Sequence, residues 1–340
     1  MELKPENLSG IEGGDNKMKQ KPDNPVCVLK TNRKAAVLAP SSLACLSKIP
    51  TINLTAGCAH GCIYCYARGY SQYPGEACVT LYANTLDKLK AELRRKRKRP
   101  LAVYFSPSSD LFQPVPEVLE LTFKILDFLF HEKIGVAFLT KGAIPNAHME
   151  LIRANASLVQ AQIGLITLDE NLARILEPRA AVPEQRLQQA RMLVDCGIPA
   201  HVRLDPILPG ITDDEQSLTD LVQALAGAGV KTIAAGVLFL RPAIVESFKR
   251  HLPDRQMMRD LLQRYRAAQA MKMAGDDFFI SALPLPDRSR IFSRLETLAR
   301  PLGITTKICA CKNPELASAS CSIAGEWNRA MEAPAQPNLF

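Results

Sequence analysis

Apolar and polar positions along this chain follow two alternating periods. Runs at 52–55, 101–105, 134–139, 158–168, 200–204 and 232–240 read as six strands. Between them, helical spacing appears over 85–99, 116–132, 147–154, 183–196 and 212–228. The punctuation agrees with this. Pro116 suits a first helical turn, Asp169 suits an N-cap, and Thr212 with Glu215 forms a capping-box pattern. Gly197 and Pro199 give a helix stop, and Pro100 ends the 85–99 helix. Strands alternating with helices predict a parallel sheet with right-handed crossovers. Six such units predict an α/β fold of the incomplete (βα)6 barrel type.

The flanks lack this rhythm. Residues 1–25 are polar, rich in Gly, Asn, Asp and Lys, and read as a disordered tail. Residues 26–50 read as a lead-in segment lying over the barrel. The core is placed at 51–250, and a C-terminal extension at 251–325 carries helices over 253–274 and 286–300. Residues 326–340 read as a flexible tail.

The whole chain of 340 residues is 47% hydrophobic and 22% charged, as expected of a globular protein. It has no apolar run of about 18 residues, so no membrane span is predicted. The N-terminal stretch lacks the apolar centre of a secretory signal, and a cytoplasmic location is expected. With ten cysteines in such a chain, metal binding is favoured over disulfides. The net charge of +8 is concentrated in Lys88–Arg99, where eight basic residues accompany one acid. This run is a candidate contact for a nucleic-acid backbone, or else a solvated helix end.

The chemistry gathers in 51–69, TINLTAGCAHGCIYCYARG, which spaces Cys58, Cys62 and Cys65 as C-x3-C-x2-C. Thiolates are the usual ligands of iron–sulfur clusters. Three of them around a four-iron cluster leave one iron open for a substrate or cofactor. Gly57 and Gly61 permit tight turns, and Tyr64 is placed to cover a group at that iron. A zinc knuckle fits less well, because His60, the nearest fourth ligand, lies between two of the cysteines.

In barrels of this kind, function sits at the carboxyl ends of the strands. The cysteine loop follows the first strand. Ser106 to Asp110 follow the second, Lys141 follows the third, and Gln162 and Gly164 lie on the fourth. On the fifth strand, His201, Arg203 and Asp205 share one face. Arg203 is a candidate to grip a carboxylate; the alternative is a buried ion pair with Asp205.

The cysteine spacing, with an aromatic residue before the third cysteine, resembles the signature of the radical S-adenosylmethionine (SAM) superfamily. The strings GCAHGCIYCYAR, SSDLFQP, TKG, TLD…LEPRA and DPILPGITD, in that order, narrow the resemblance to its spore photoproduct lyase-like branch. It covers roughly residues 45–325. It implies a [4Fe-4S] cluster on Cys58, Cys62 and Cys65, with SAM on the open iron. Reductive cleavage of SAM would give a 5′-deoxyadenosyl radical for hydrogen abstraction, fed by a reductant such as flavodoxin or ferredoxin. It further implies that Lys141, Gln162 and Asp110 lie at or near SAM, with Tyr64 and Arg203 as further cofactor-binding candidates. The branch is often labelled DNA repair photolyase, which points to a nucleic acid base. True spore photoproduct lyases carry a hydrogen-donating cysteine just before the Ser-Asp pair. Here that position is Ser108, and no catalytic residue is assigned. Cys78, Tyr70, Tyr73 and Tyr104 remain candidates for the hydrogen donor. A peptide or small-molecule substrate, and a non-enzymatic metal-binding or redox-sensing protein, are the alternatives.

A second group, Cys309, Cys311 and Cys321, falls within thirteen positions, and the relatives often keep a C-x-C-x-N element there. It reads as an auxiliary iron–sulfur cluster, a zinc clip, or packed thiols. Cys27, Cys45, Cys78 and Cys196 are the candidate fourth ligands.

Overall fold

The computed structural model describes residues 25–41, 44–272, 279–310, 312–316 and 323–327. Residues 1–24 and 328–340, Cys311 and Cys321 lie outside the described residues.

The lead-in forms a strand, β1 (Cys27–Thr31), for which the residue pattern carries no signal. The predicted first strand is divided. β2 (Thr51–Ile52) joins the main sheet, and β3 (Thr55–Ala56) turns away to pair antiparallel with β4 (Cys78–Tyr82). β1 lies parallel to β4 on its other edge, so a small sheet runs in the order β1-β4-β3. The cysteine loop springs from β3 and is therefore tied to both sheets.

After α1 (Thr85–Arg95) the expected alternation holds. β5 (Ala102–Phe105), α2 (Pro116–His131), β6 (Gly135–Thr140), α3 (Asn146–Ala154) and β7 (Val159–Gly164) follow in turn. Then come α4 (Glu170–Leu176), α5 (Pro183–Asp195), β8 (Ala200–Ile207), α6 (Glu215–Gly227) and β9 (Thr232–Val237). Asp169 caps α4 by accepting from the backbone N–H groups of Asn171 and Leu172. The capping box at Thr212 does not form. Asp214 caps α6 instead, and the Thr212 hydroxyl accepts from the Leu208 N–H at 2.9 Å.

Beyond β9 the sequence expectation fails in two places. After α7 (Pro242–His251), the helix expected to run to 274 ends as α8 (Arg255–Arg264). Tyr265 is buried there, with its hydroxyl donated to the Leu238 carbonyl. The chain then forms the antiparallel pair β10 (Gln269–Lys272) and β11 (Phe279–Ala282). Helix-forming alanines at 267, 268 and 270 yield to pairing partners that local propensity does not register. After α9 (Leu285–Ala299), β12 (Thr305–Ile308) adds a seventh parallel strand beside β9. The main sheet is thus β12-β9-β8-β7-β6-β5-β2, parallel throughout.

Its two faces differ in chemistry. Ile52, Val103, Phe105, Val136, Phe138, Val202 and Ile233 turn to one side and join the main apolar core. The opposite face carries small and polar residues in register: Leu139 beside Gln162 beside His201, and Gly164 beside Arg203 beside Ala234. At the amino ends of the strands this second face is filled by Leu46, Ile49, Ile323, Ala324 and Trp327. Trp327 occupies the space that a side chain on Gly135 would need. Further along the strands that face carries Gln162 and Arg203, both buried. Among the described residues, no helix is long and apolar enough to cross a membrane.

Candidate metal centre

The cysteine loop is held by its backbone. Gly57 has φ +77°, and a Cβ there would stand 2.7 Å from Pro74 and 2.8 Å from the Cys78 carbonyl oxygen. Only glycine fits this crossing. The Ala59 N–H donates to Gln113 Oε1 at 2.8 Å, and Gln113 Nε2 donates to Thr55 Oγ1 and the Asp110 carbonyl. Arg68 donates to the carbonyls of Cys62 and Gly61, each at 3.0 Å. Ile63 N–H donates to Leu176 O, and Arg179 N–H donates to His60 O. Neighbouring elements thus engage the loop's polar backbone at five places.

Cys62 is buried, and Cys58 and Cys65 are partly so. Each thiol lies within electrostatic reach of the other two. Burial, then the negative charge of Glu177, pushes the Cys62 thiol up to about 12. Burial and Asp110 push Cys58 well above the usual thiol range. A metal that binds here must displace protons, because the thiolate is the ligand. No three His, Cys, Asp or Glu side chains among the described residues are arranged to hold a single metal ion. The donor set suits iron–sulfur chemistry. It consists of three soft thiols, and the adjacent carboxylates, Asp110 and Glu177, are committed to protein donors.

Those two carboxylates brace the loop from either side. Asp110 is buried and accepts from Thr140 Oγ1 and from the backbone N–H groups of Phe112 and Lys141, each at 2.8 Å. His60 Nε2 lies 3.0 Å from its second oxygen, and His60 Nδ1 lies 3.1 Å from the Arg179 carbonyl. Burial would raise Asp110, but His60 and these hydrogen bonds outweigh it and hold the carboxyl below its usual range. Glu177 accepts from the Tyr64 hydroxyl, pairs with Arg186 at 2.6 Å and lies 3.3 Å from Lys141 Nζ. Burial works against its ionisation, yet Arg186 and Lys141 prevail and bring its carboxyl down to about 2. Lys141 reaches this group because β7 carries Gly164, where a Cβ would stand 2.7 Å from Nζ.

The structure therefore joins Tyr64 and Lys141 to Glu177, which stands in the LEPRA string, and to Arg186 on α5. Gln113, inside the SSDLFQP string, shows no role by residue type alone. A fully buried glutamine is the signal that would have drawn attention to it, and burial follows from the fold. Gln162 is buried on the polar face of β7. Arg203 forms the ion pair with Asp205 that was the alternative reading, at 2.8 Å, and Lys312 reaches the same oxygen at 2.6 Å. Lys312 and Arg203 hold Asp205 below the carboxylate range against the effect of burial.

The remaining described cysteines lie apart from the loop thiols in sequence and fall in separate places. Cys309 is buried against Ala234, near Cys45 and Ile323. The proposed partners Cys311 and Cys321 fall outside the described residues. Cys196 closes α5, and Cys27 and Cys78 face each other on β1 and β4.

Beside the loop, a cavity of about 460 Å³ is lined by Arg33, Asn53, Gly57, Tyr70, Tyr73 and Ser108, among others. The basic run lies elsewhere. α1 descends from the carboxyl-end side, so the exposed residues Arg94–Arg99 immediately precede β5 at the amino ends of the strands. The cysteine loop follows β2 at the opposite end.

The profile of the radical SAM superfamily matches residues 52–222. An uncharacterised protein of Mycobacterium tuberculosis is 29% identical over 217 residues, covering 61% of this chain and 64% of the relative. The chain thus spans about 64% of the length of that curated relative. The radical SAM Nalpha-GlyT isomerase of Pseudomonas phage M6 is 25% identical over 232 residues, covering 66% of this chain and 48% of the phage protein. Spore photoproduct lyase complexed with dinucleoside spore photoproduct superposes with a TM-score of 0.63 at 15% identity, covering 83% and 82% of the two chains. At that identity the likeness is one of fold.

Proposed function

The chain belongs to the radical SAM superfamily and is an enzyme, and from that premise we propose that Cys58, Cys62 and Cys65 hold a [4Fe-4S] cluster that works with SAM on a substrate carrying a nucleic acid base. The family sets aside the non-enzymatic reading. The observation that carries the proposal is the loop itself: three mutually interacting thiols, held through their backbone at the carboxyl end of the sheet.

When bound, the cluster and SAM together supply the electron and the 5′-deoxyadenosyl radical that abstracts a hydrogen atom. The protein's part is binding and positioning. Arg68 and Gln113 fix the backbone of the loop that carries the three thiols. Tyr64, Glu177 and Arg186 form a buried support beneath it, which excludes water from the side facing the sheet. Lys141 and Gln162, on neighbouring strand ends, are the proposed contacts to SAM. Arg203 is committed to Asp205 and shapes the polar face beside them.

The substrate reading rests on the cavity. Tyrosine rings stack on bases of any sequence, and asparagine and serine supply hydrogen bonds to base edges. Tyr70, Tyr73, Asn53 and Ser108 meet there, next to Gly57. The likeness in fold to spore photoproduct lyase, whose structure holds a dinucleoside, supports a base-bearing substrate. A peptide or small-molecule substrate is the second reading. It is favoured by the basic run, which stands at the far end of the strands and so is not aligned with the loop. Electron supply is proposed from a flavodoxin or ferredoxin.

Anaerobic reconstitution followed by iron and sulfide analysis tests the cluster, with about four irons per chain expected. Dithionite and SAM should then yield 5′-deoxyadenosine, and Cys58→Ala, Cys62→Ala and Cys65→Ala should each abolish it. Adding oligonucleotides tests the substrate. A mass change or accelerated 5′-deoxyadenosine formation supports a base. Acceleration by peptides alone favours the second reading.

A further inference from the structure

Two cysteines outside the loop stand side by side. Strands β1 and β4 run parallel, and their register makes Cys27 and Cys78 direct partners. The Cys27 N–H donates to the Ala77 carbonyl at 2.8 Å, which fixes that register at its first residue. In-register neighbours on adjacent strands are about 4.8 Å apart and share a face. Disulfides span Cα separations of about 4.4–6.8 Å. Cys27 is exposed and Cys78 is partly exposed, so a small oxidant can reach the pair. In this register the Cys78 thiol donates to Cys27, and that hydrogen bond, ahead of any effect of burial, holds the Cys78 thiol above its usual value.

The position gives the pair a consequence. The carbonyl of Cys78 lies against Gly57, one residue before the first cysteine of the loop. A bond between residues 27 and 78 would close a covalent ring containing Cys58, Cys62 and Cys65. It would also clamp the lead-in, since Thr31 to Ala36 wall the cavity beside the loop. This wall is otherwise held non-covalently, by backbone pairing, by the Arg33 guanidinium over the Tyr82 ring, and by polar contacts that include Arg33 N–H to Asn84 Oδ1 at 2.8 Å and Ala83 N–H to Thr31 O at 2.9 Å.

We propose that Cys27 and Cys78 form a reversible disulfide that locks the lead-in strand onto β4 and fixes one wall of the cavity. The oxidant is a low-molecular-weight disulfide such as glutathione disulfide. One thiolate attacks a glutathione sulfur, forming a mixed disulfide and releasing one glutathione thiol. The second thiolate attacks the protein sulfur of that bond and releases the other. The protein loses two electrons and two protons, and one glutathione disulfide becomes two thiols. Cys27, the more exposed of the two, is the first to react.

The test uses the full chain with its cluster reconstituted, treated anaerobically with glutathione disulfide or with dithiothreitol. Non-reducing digestion and mass spectrometry should find a 27–78 cross-linked peptide, two hydrogens lighter than the separate thiol peptides, after the first treatment only. Amide exchange over residues 28–36 should slow at least several-fold in the same sample. Cys27→Ser, which alters an exposed side chain, should lose both effects while keeping its iron. Recovery of Cys27 and Cys78 as thiols or as separate glutathione adducts overturns the proposal. So does a cross-link from either residue to the loop cysteines, or unchanged exchange despite the 27–78 bond.

Discussion

Arg186 on α5 meets Glu177, just beyond α4, at 2.6 Å beneath the cysteine loop, with both side chains almost wholly withdrawn from solvent. The pair is linked to the loop through the Tyr64 hydroxyl and to β6 through Lys141. Arg186 also donates to the Gly164 carbonyl at 2.8 Å, so one guanidinium joins α5, β7 and the support beneath the thiols. An ion pair this deep is costly to assemble but more costly to break, because removing one partner strands the other's charge.

Glu177→Gln is therefore expected to destabilise the fold by about 3–5 kcal/mol, since it leaves Arg186 and Lys141 without their anion. Denaturant unfolding of the purified variant measures this. Iron retention after reconstitution should fall with it, because Tyr64 lies next to Cys65.

The same carboxylate sets an acid limit. Its folded value of about 2 lies below the 4.5 of an unperturbed glutamate, so folding favours the ionised form. The stability this supplies is complete above about pH 4.5 and is lost as pH falls toward 2, at most about 3 kcal/mol. Unfolding free energy measured between pH 5 and pH 2 should decline in the wild type. In Glu177→Gln that part of the decline should be missing.

Gly57→Ala places a methyl group 2.7–2.8 Å from Pro74 and the Cys78 carbonyl at a left-handed backbone angle. The angle alone costs about 1–2 kcal/mol, and the contacts add to it. Gly61 also has a positive φ, but its nearest neighbour would be Pro178 at 3.4 Å. Gly61→Ala should therefore lower stability less than Gly57→Ala. Melting temperatures of the two variants, compared side by side, check the order.

Replacing Lys96, Arg97 and Lys98 with serine tests whether the basic run binds nucleic acid. If it does, the salt dependence of binding should weaken by about two to three in log–log slope. Formation of 5′-deoxyadenosine from SAM should be unchanged, because the run and the loop occupy opposite ends of the strands. A loss of SAM cleavage in a folded variant would contradict that placement.

Much of this was legible along the chain, because the determining contacts are local. Six strand–helix units follow from period alone. The cysteine loop is readable since its three thiols and two turn glycines fall within nine positions. What was missed depends on partners distant in sequence. β1 and β4 show their role only when paired. β12 has four residues, too few for a period to declare itself, and it is a strand because β9 leaves an edge open to it. Lys312 reaches Asp205 across 107 positions.

By itself, then, the sequence determined a parallel α/β architecture and a three-thiol loop after its first strand, because hydrophobic period and residue spacing are short-range properties of the chain. Only the tertiary structure decided which charges meet beneath that loop, which cysteines become neighbours, and at which end of the strands the basic run emerges. Each of these depends on burial and on long-range pairing, where desolvation makes a partner obligatory without dictating where in the chain it must come from.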